Sequence, residues 1–317
     1  MRILISGVTG FAGPYLAAEL AGEPGLELFG MTWSGDDQAT TGLLPAALRT
    51  LVGDVTDDDS IRSVLEEARP DVVYHLAGAS SGAAAWRHPI ACYAVNALGT
   101  LRLLEGVRRL GLATTTVVAS SGEVYGSADD EAHPLTEESP LRPLSPYAAS
   151  KASQDLVAAQ YPRAYGMRVI RLRLFNHTGP RHPEQFVASS FARQIARVER
   201  GLQEPVIQVG NLDARRDFVD VRDISRAYRL AGRPDVAGDV FNVCSGRAVS
   251  IRHILDKLIG LARCEVEVHP DPERMRPADI PLLLGDPRRF REVTGWVPEI
   301  PIERTLADLL DWWRLQP

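Results

Sequence analysis

The sequence predicts an α/β protein with a Rossmann-type doubly wound parallel sheet, followed past Asn176 by a smaller C-terminal α/β region of rising proline density and interrupted helical segments. Three observations predict it. Short apolar runs alternate with helical patterns through the first half of the 317-residue chain. A glycine turn, Gly7-Val8-Thr9-Gly10-Phe11-Ala12-Gly13, separates the first strand from the first helix. Polar and glycine-bearing stretches recur at the carboxyl ends of the expected strands, where open α/β sheets bind ligands. Strands separated by helices imply parallel pairing.

The first strand is Arg2-Ile3-Leu4-Ile5-Ser6, and its helix runs through Leu16, Ala17 and Leu20 to about Gly22. A glycine turn between strand and helix lets backbone N–H groups and the helix N-terminus receive a pyrophosphate. Gly7, Thr9, Gly10, Phe11, Ala12 and Gly13 are therefore candidate dinucleotide contacts, although the spacing is GxxGxxG rather than GxGxxG. The second strand, Glu27 to Thr32, ends in Trp33-Ser34 with neither the acid that selects NAD nor the arginine that welcomes NADP. Asp36 and Asp37 lie just beyond and would repel a phosphate, so NADH and NADPH both stay open.

A third strand ends in Gly53-Asp54-Val55-Thr56-Asp57. Asp54 suits the adenine amino group and Val55 the ring, while Asp57 or Asp58 caps the helix through Ala68. The fourth strand, Asp71 to Leu76, runs into Ala77-Gly78-Ala79, small residues that would let a nicotinamide ribose approach the backbone. The fifth, Thr114 to Ala119, leads into Ser120-Ser121-Gly122-Glu123-Val124-Tyr125-Gly126, and a sixth spans Arg168 to Leu174.

Between them a long helix from about Pro146 to Tyr165 carries Tyr147 and Lys151. Four residues apart, they share one helix face. A free phenol ionises near about pH 10, and a nearby ammonium lowers that value towards neutrality. Such a Tyr can exchange a proton with a substrate oxygen at physiological pH. The bare pair would equally suit a solvated helix face.

Composition narrows the function. The net charge of −6 and the absence of a basic run exclude a nucleic-acid surface. Cys92, Cys244 and Cys264 lack metal-ligand spacing and read as reduced thiols, and the seven histidines show no paired spacing, so no metal is expected. The first strand leaves no room for a signal peptide, and no apolar run approaches membrane-spanning length. A cytoplasmic protein without a membrane partner is expected.

The glycine turn, Asp54-Val55, Leu76-Ala77-Gly78, the loop with Ser121, Tyr147-x-x-x-Lys151 and Arg173-Leu174-Phe175-Asn176-His177-Thr178-Gly179-Pro180 together resemble the extended short-chain dehydrogenase/reductase family of nucleotide-sugar enzymes. The resemblance spans essentially the whole chain and implies an NAD(P) cofactor. It assigns Ser121 to the substrate 4-oxygen, Tyr147 to proton transfer, and Lys151 to the nicotinamide ribose and to lowering the Tyr147 pKa. It further implies a domain of residues 1–175 plus roughly 217–247 for the dinucleotide, and one of 176–216 plus roughly 248–317 for the sugar nucleotide.

Two arginine-bearing stretches, Val209-Gly210-Asn211-Leu212-Asp213-Ala214-Arg215-Arg216-Asp217 and Arg274-Met275-Arg276-Pro277-Ala278-Asp279, are similar to the GDP-mannose branch of that family. Arginine forks match phosphate oxygens, although salt bridges to Asp213, Asp217, Glu273 or Asp279 are the commoner fate. The branch implies a GDP-sugar bound by Ser80, Ser121, Glu123, Asn176, Val209, Asn211, Arg216 and Arg276. Leu141-Arg142-Pro143 and Phe241-Asn242-Val243-Cys244-Ser245-Gly246 are similar to its reductases, which convert GDP-4-keto-6-deoxy-mannose to GDP-rhamnose. The alternative is a GDP-mannose 4,6-dehydratase with Glu123 as base, since that residue lies two after the catalytic hydroxyl; Gly122 stands where dehydratases often carry a further polar group. A 4-epimerase fits less well, and a non-catalytic cofactor-binding protein would not need Ser121, Tyr147 and Lys151 together. The family also implies a homodimer through the helices starting near Pro89 and Pro146, for which Leu101, Leu104 and Val107 are candidates, though the same spacing suits packing on the sheet. His75 reads as a packed strand-end residue, Trp312 and Trp313 as helix packing, and His177 and Arg181 as neighbours of the ligand.

Overall fold

The computed structural model describes residues 1–33, 43–275 and 279–317. Thirteen strands are found among them: β1 Arg2–Ser6, β2 Glu27–Thr32, β3 Arg49–Val52, β4 Val72–His75, β5 Thr115–Ser121, β6 Arg168–Leu174, β7 Asn176–Thr178, β8 Val206–Val209, β9 Arg215–Asp220, β10 Val240–Val243, β11 Ala248–Ser250, β12 Glu267–Pro270 and β13 Leu282–Leu283. Seven form one sheet in the order β3-β2-β1-β4-β5-β6-β10, parallel throughout.

Successive side chains of a strand point to opposite faces, so a strand covered on both sides must be apolar at every position. Ile3, Leu4 and Ile5 of β1, Val72, Val73 and Tyr74 of β4, and Val117, Val118 and Ala119 of β5 are apolar and buried in succession. Ile3, Ile5, Tyr74 and Val117 enter one core with Leu16, Ala17 and Leu20 of helix Gly13–Ala21 and Ile224, Ala227 and Tyr228 of helix Val221–Ala231. Leu4 and Val73 enter the opposite core with Ile61, Val64 and Leu65 of helix Asp58–Ala68 and Leu103 and Val107 of helix Pro89–Arg109. Val118 and Val169 pack with Ala158 and Tyr161 of helix Pro146–Tyr165. The sheet is doubly wound.

A second set of elements builds its own core from Phe191 and Ile195 of helix Val187–Glu199, Ile254 and Leu258 of helix Ile251–Gly260, and Leu306 and Leu309 of helix Ile302–Arg314. It holds β9, paired with β7, β11 and β13, and the parallel pair β8–β12. The chain passes between the two units repeatedly. β10 returns to pair with β6, and Phe290 and Trp296 pack beside Phe241 in the sheet core.

Two expectations need correction. Helix Pro89–Arg109 is continuous for 21 residues and, by length and composition, apolar enough to cross a membrane. Here it is a core helix, burying Cys92, Asn96, Thr100, Leu103 and Val107 within the protein. Leu104 and Val107, expected at a dimer face, are fully buried in the chain's own cores, because the spacing that suits a dimer face also suits packing on the sheet. Among the hydrophobic residues left exposed on this helix and on helix Pro146–Tyr165 are Ile90, Leu98 and Leu156.

Candidate active site

The glycine turn is shaped by contacts that no side chain would survive. Gly7 has φ 69°, and a Cβ there would lie 2.7 Å from the Ala77 nitrogen at the end of β4. A Cβ on Gly13 would lie 2.3 Å from the Val8 carbonyl oxygen. The Gly10 N–H donates to Gly7 O at 3.0 Å, and Ala12 precedes the helix without a capping side chain. The open helix N-terminus and the bare turn fit a dinucleotide pyrophosphate. Thr9 Oγ1 lies 3.5 Å from Thr32 Oγ1. Phe11 stacks on His182 with ring centroids 4.2 Å apart and lies nearly parallel to His177, so the segment after β7 closes over the turn.

Asp54 Oδ1 accepts from Thr56 N at 2.7 Å and Thr56 Oγ1 at 2.8 Å, and those bonds, with one from Trp33, hold its carboxyl below the usual range. Val55 is buried, its side chain packing beside Gly99. Leu76 N donates to Ser6 O and Ala77 N to Ser6 Oγ. Gly78 is exposed; a Cβ on it would meet Asn96 Oδ1 at 3.0 Å and Lys151 Nζ at 3.4 Å.

Ser121 is the last residue of β5, and its Oγ accepts from Glu123 N at 3.2 Å to open the turn Gly122–Tyr125. Ser145 caps the following long helix by accepting from Ala148 N at 3.0 Å, which sets Tyr147 in the first turn. Burial and the Glu123 carboxylate push the Tyr147 phenol above its ordinary pKa, while a hydrogen bond with Ser121 pulls it back. This reverses the expected direction. The Lys151 ammonium, which was to lower Tyr147, donates instead to Ala119 O at 2.7 Å and Gln154 Oε1 at 2.8 Å. Its own pKa falls to about 8 through burial, with Cys92 and Asp155 opposing.

On the far side, Arg216 is buried, and its Nη2 donates to Asp279 Oδ1 at 2.7 Å. Asn211 Nδ2 donates to the other oxygen of Asp279 at 2.8 Å. The salt bridge weighed from the sequence thus exists, and it draws both predicted ligands onto one carboxylate. Arg216, Asp279 and Ile280 share a cleft with Glu123, Ser145, Gly82, Trp86 and Leu144. Among the described residues Asn176 Oδ1 is buried without a hydrogen-bond partner, an acceptor suited to a ligand donor. Ser80 is exposed. Val209 is buried at the end of β8, its carbonyl accepting from Asp271 N at 2.8 Å. Arg276, Asp36 and Asp37 lie outside the described residues.

Sequence reasoning missed Asn96. It occupies a π-helical turn, Ala94–Leu98, accepts from Ala79 N at 2.8 Å and donates to Ala79 O and to Ser150 Oγ. It ties the loop after β4 to the helix bearing Tyr147. The available signal was an amide side chain inside an otherwise apolar helical run.

The family profile described as GDP-mannose 4,6 dehydratase matches residues 4–309. The chain belongs to that family, within the extended short-chain dehydrogenases/reductases. Among curated relatives of this GDP-mannose family member, GDP-6-deoxy-D-mannose reductase of Pseudomonas aeruginosa is 38% identical over 98% of the chain and 97% of the relative. GDP-mannose 4,6-dehydratase of Vibrio cholerae is 32% identical over 98% and 92%. The solved structure of Pseudomonas aeruginosa RMD complexed with NADPH superposes with TM-score 0.83 at 35% identity, covering 99% of each chain.

Proposed function

We propose that this NAD(P)-dependent nucleotide-sugar enzyme reduces the 4-keto group of GDP-4-keto-6-deoxy-D-mannose to GDP-D-rhamnose. The observation that carries the reading is Tyr147 beside Ser121, a phenol kept protonated by burial and by Glu123. Reduction of a ketone needs an acid that still holds its proton at neutral pH and releases it to the emerging oxyanion. The bound dihydronicotinamide supplies the hydride. Ser121 hydrogen-bonds the same oxygen, and Lys151, bordered by Gly78, holds the ribose. Higher identity to the reductase than to the dehydratase supports the same direction.

The glycine turn, Asp54 and the Leu76–Gly78 stretch bind the dinucleotide in this reading, so residues 1–175 plus roughly 217–247 serve it. Ser80, Asn176, Asn211, Arg216 and Arg276 bind the GDP-sugar, and the remaining segments form its domain. A homodimer would cover Ile90, Leu98 and Leu156, which are exposed on two neighbouring helices.

A dehydratase is the second reading, because the Glu123 carboxylate acts directly on Tyr147 and would be in place as a base. Against it, a Cβ on Gly122 would lie 2.9 Å from the Phe175 ring, so a polar side chain beside Glu123 would have to displace that ring. Two parallel incubations decide. GDP-4-keto-6-deoxy-mannose with NADH or NADPH should give cofactor oxidation and GDP-rhamnose, and GDP-mannose with oxidised cofactor should give nothing. A 4-keto product from GDP-mannose without net cofactor change would overturn the reductase.

A further inference from the structure

A chain of buried polar groups runs behind Lys151, and its hydrogen-bond directions can be worked out one by one. An ammonium only donates, so Gln154 presents Oε1 to Lys151 Nζ at 2.8 Å and its Nε2 donates to Thr100 Oγ1 at 2.7 Å. The Thr100 hydroxyl donates to Asn96 O at 2.8 Å. It therefore accepts from His75 Nε2, 2.9 Å away. His75 is neutral, its pKa drawn down to about 3 by burial and by the Lys151 charge, so Nδ1 accepts from Ser6 Oγ at 2.7 Å. Ser6 Oγ in turn accepts from Ala77 N. Ser6, His75, Thr100 and Gln154 are all fully buried. Each donor in the series has one acceptor, so the series has one orientation.

We propose that Gln154 is the positioning residue for Lys151, holding its ammonium at the edge of Gly78 by bridging it to the Thr100–His75–Ser6 series. Lys151 is unbranched and flexible, with three rotatable donors. Two of those donors are directed to Ala119 O and Gln154 Oε1, which leaves the third for a ligand bordered by Gly78. The same series ends at Ala77, next to the glycine turn, so one rigid polar spine sets the lysine relative to the dinucleotide-binding backbone. The charged or titratable groups that face Lys151 are Cys92 from helix Pro89–Arg109, Asp155 from its own helix and His75 from β4. None of them takes the place of an amide that both accepts and donates.

This inference rests on the dinucleotide-binding reading above, and its test is made to fail separately. Lys151 is titrated in the protein alone, by the pH dependence of its labelling with a small acylating reagent located by mass spectrometry. Gln154→Met removes the acceptor and should lower the Lys151 titration point. Gln154→Glu places a carboxylate there and should raise it. A residue that merely fills space would lower thermal stability in both variants without moving the titration in opposite directions. NADPH affinity, followed by its fluorescence, should weaken about tenfold in Gln154→Met, the loss of one hydrogen bond to a charged group. It should be largely kept in Gln154→Glu. Unmoved titration of Lys151 in both variants, or equal NADPH loss in both, overturns the proposal. Wild-type protein that binds NADPH but turns over no GDP-sugar would refute the proposed reaction and leave this inference standing.

Discussion

Replacing Asp155 by Ala should cost the protein a large share of its stability. Asp155 lies one turn beyond Lys151 on helix Pro146–Tyr165 and is fully buried. Its carboxylate accepts from Arg171 Nη1 at 2.7 Å, Arg173 Nε at 3.0 Å, Arg173 Nη2 at 2.8 Å and Ser120 Oγ at 2.8 Å. The side chains of Arg171 and Arg173 are only 8% and 6% exposed. Arg171 would keep Asp239 at 2.9 Å, but Arg173 would retain only the Tyr125 hydroxyl and the Glu137 carbonyl among its hydrogen-bonded partners. Removing one member of a buried ion pair strands the other, at about 3–5 kcal/mol. The contrast is Arg304→Ala, whose side chain is 71% exposed beside Asp308 and whose loss should stay within about 0.5 kcal/mol. Urea unfolding followed by tryptophan fluorescence reads both. The pH sign is also set. Arg173 and Arg171 hold the Asp155 carboxyl below its usual range despite burial, so its contribution is complete above the unfolded value of about 4 and is lost as pH falls through the folded one. Asp155→Asn should therefore flatten the acid limb of stability. A loss below about 1 kcal/mol in Asp155→Ala, or an unchanged acid limb in Asp155→Asn, would refute the reasoning.

Tyr147→Phe should reduce turnover by about 10²–10⁴-fold, the range for a general acid, with dinucleotide binding retained in a fluorescence titration. Gly13→Ala should abolish that binding and lower the melting temperature, since a Cβ 2.3 Å from Val8 O forces the helix off the strand; normal binding in this variant would contradict the turn geometry. Glu123→Gln should leave ketone reduction nearly intact at neutral pH. By removing the charge that raises Tyr147 it should also bring the alkaline loss of activity to lower pH, and a steady-state pH profile shows whether it does.

The sheet was legible because the central strands are apolar at consecutive positions, as burial on both faces demands, and because ligand-bearing loops must follow their carboxyl ends. β5 runs two residues beyond its expected end, which places Ser121 on the strand itself and makes its position rigid. What stayed hidden depended on distant parts of the chain meeting. Asp279 reaches both Asn211 and Arg216 across more than sixty residues of sequence. His75 was read as a packed strand-end residue, and it is packed, yet Thr100 and Gln154 from two other helices give it a second role behind Lys151. The direction of the Tyr147 shift was missed for the same reason, because spacing places Lys151 one helical turn away but says nothing of the Ala119 carbonyl that claims its ammonium.

Gly122 shows how far such long-range contacts reach into chemistry. From sequence it is a missing polar side chain. In the fold it is a position where any side chain would press on Phe175, the residue after β6. Glycine at that point lets the turn Gly122–Tyr125 pack directly on the ring while Glu123 is carried towards the cleft it shares with Arg216. A polar residue at 122 would need Phe175 to move or to shrink. A Gly122→Ser change alone should destabilise the protein through the 2.9 Å contact, whereas pairing it with Phe175→Ala should restore much of the loss. Additive destabilisation in the double variant would mean the two positions are not coupled and that Phe175 does not determine what 122 can be.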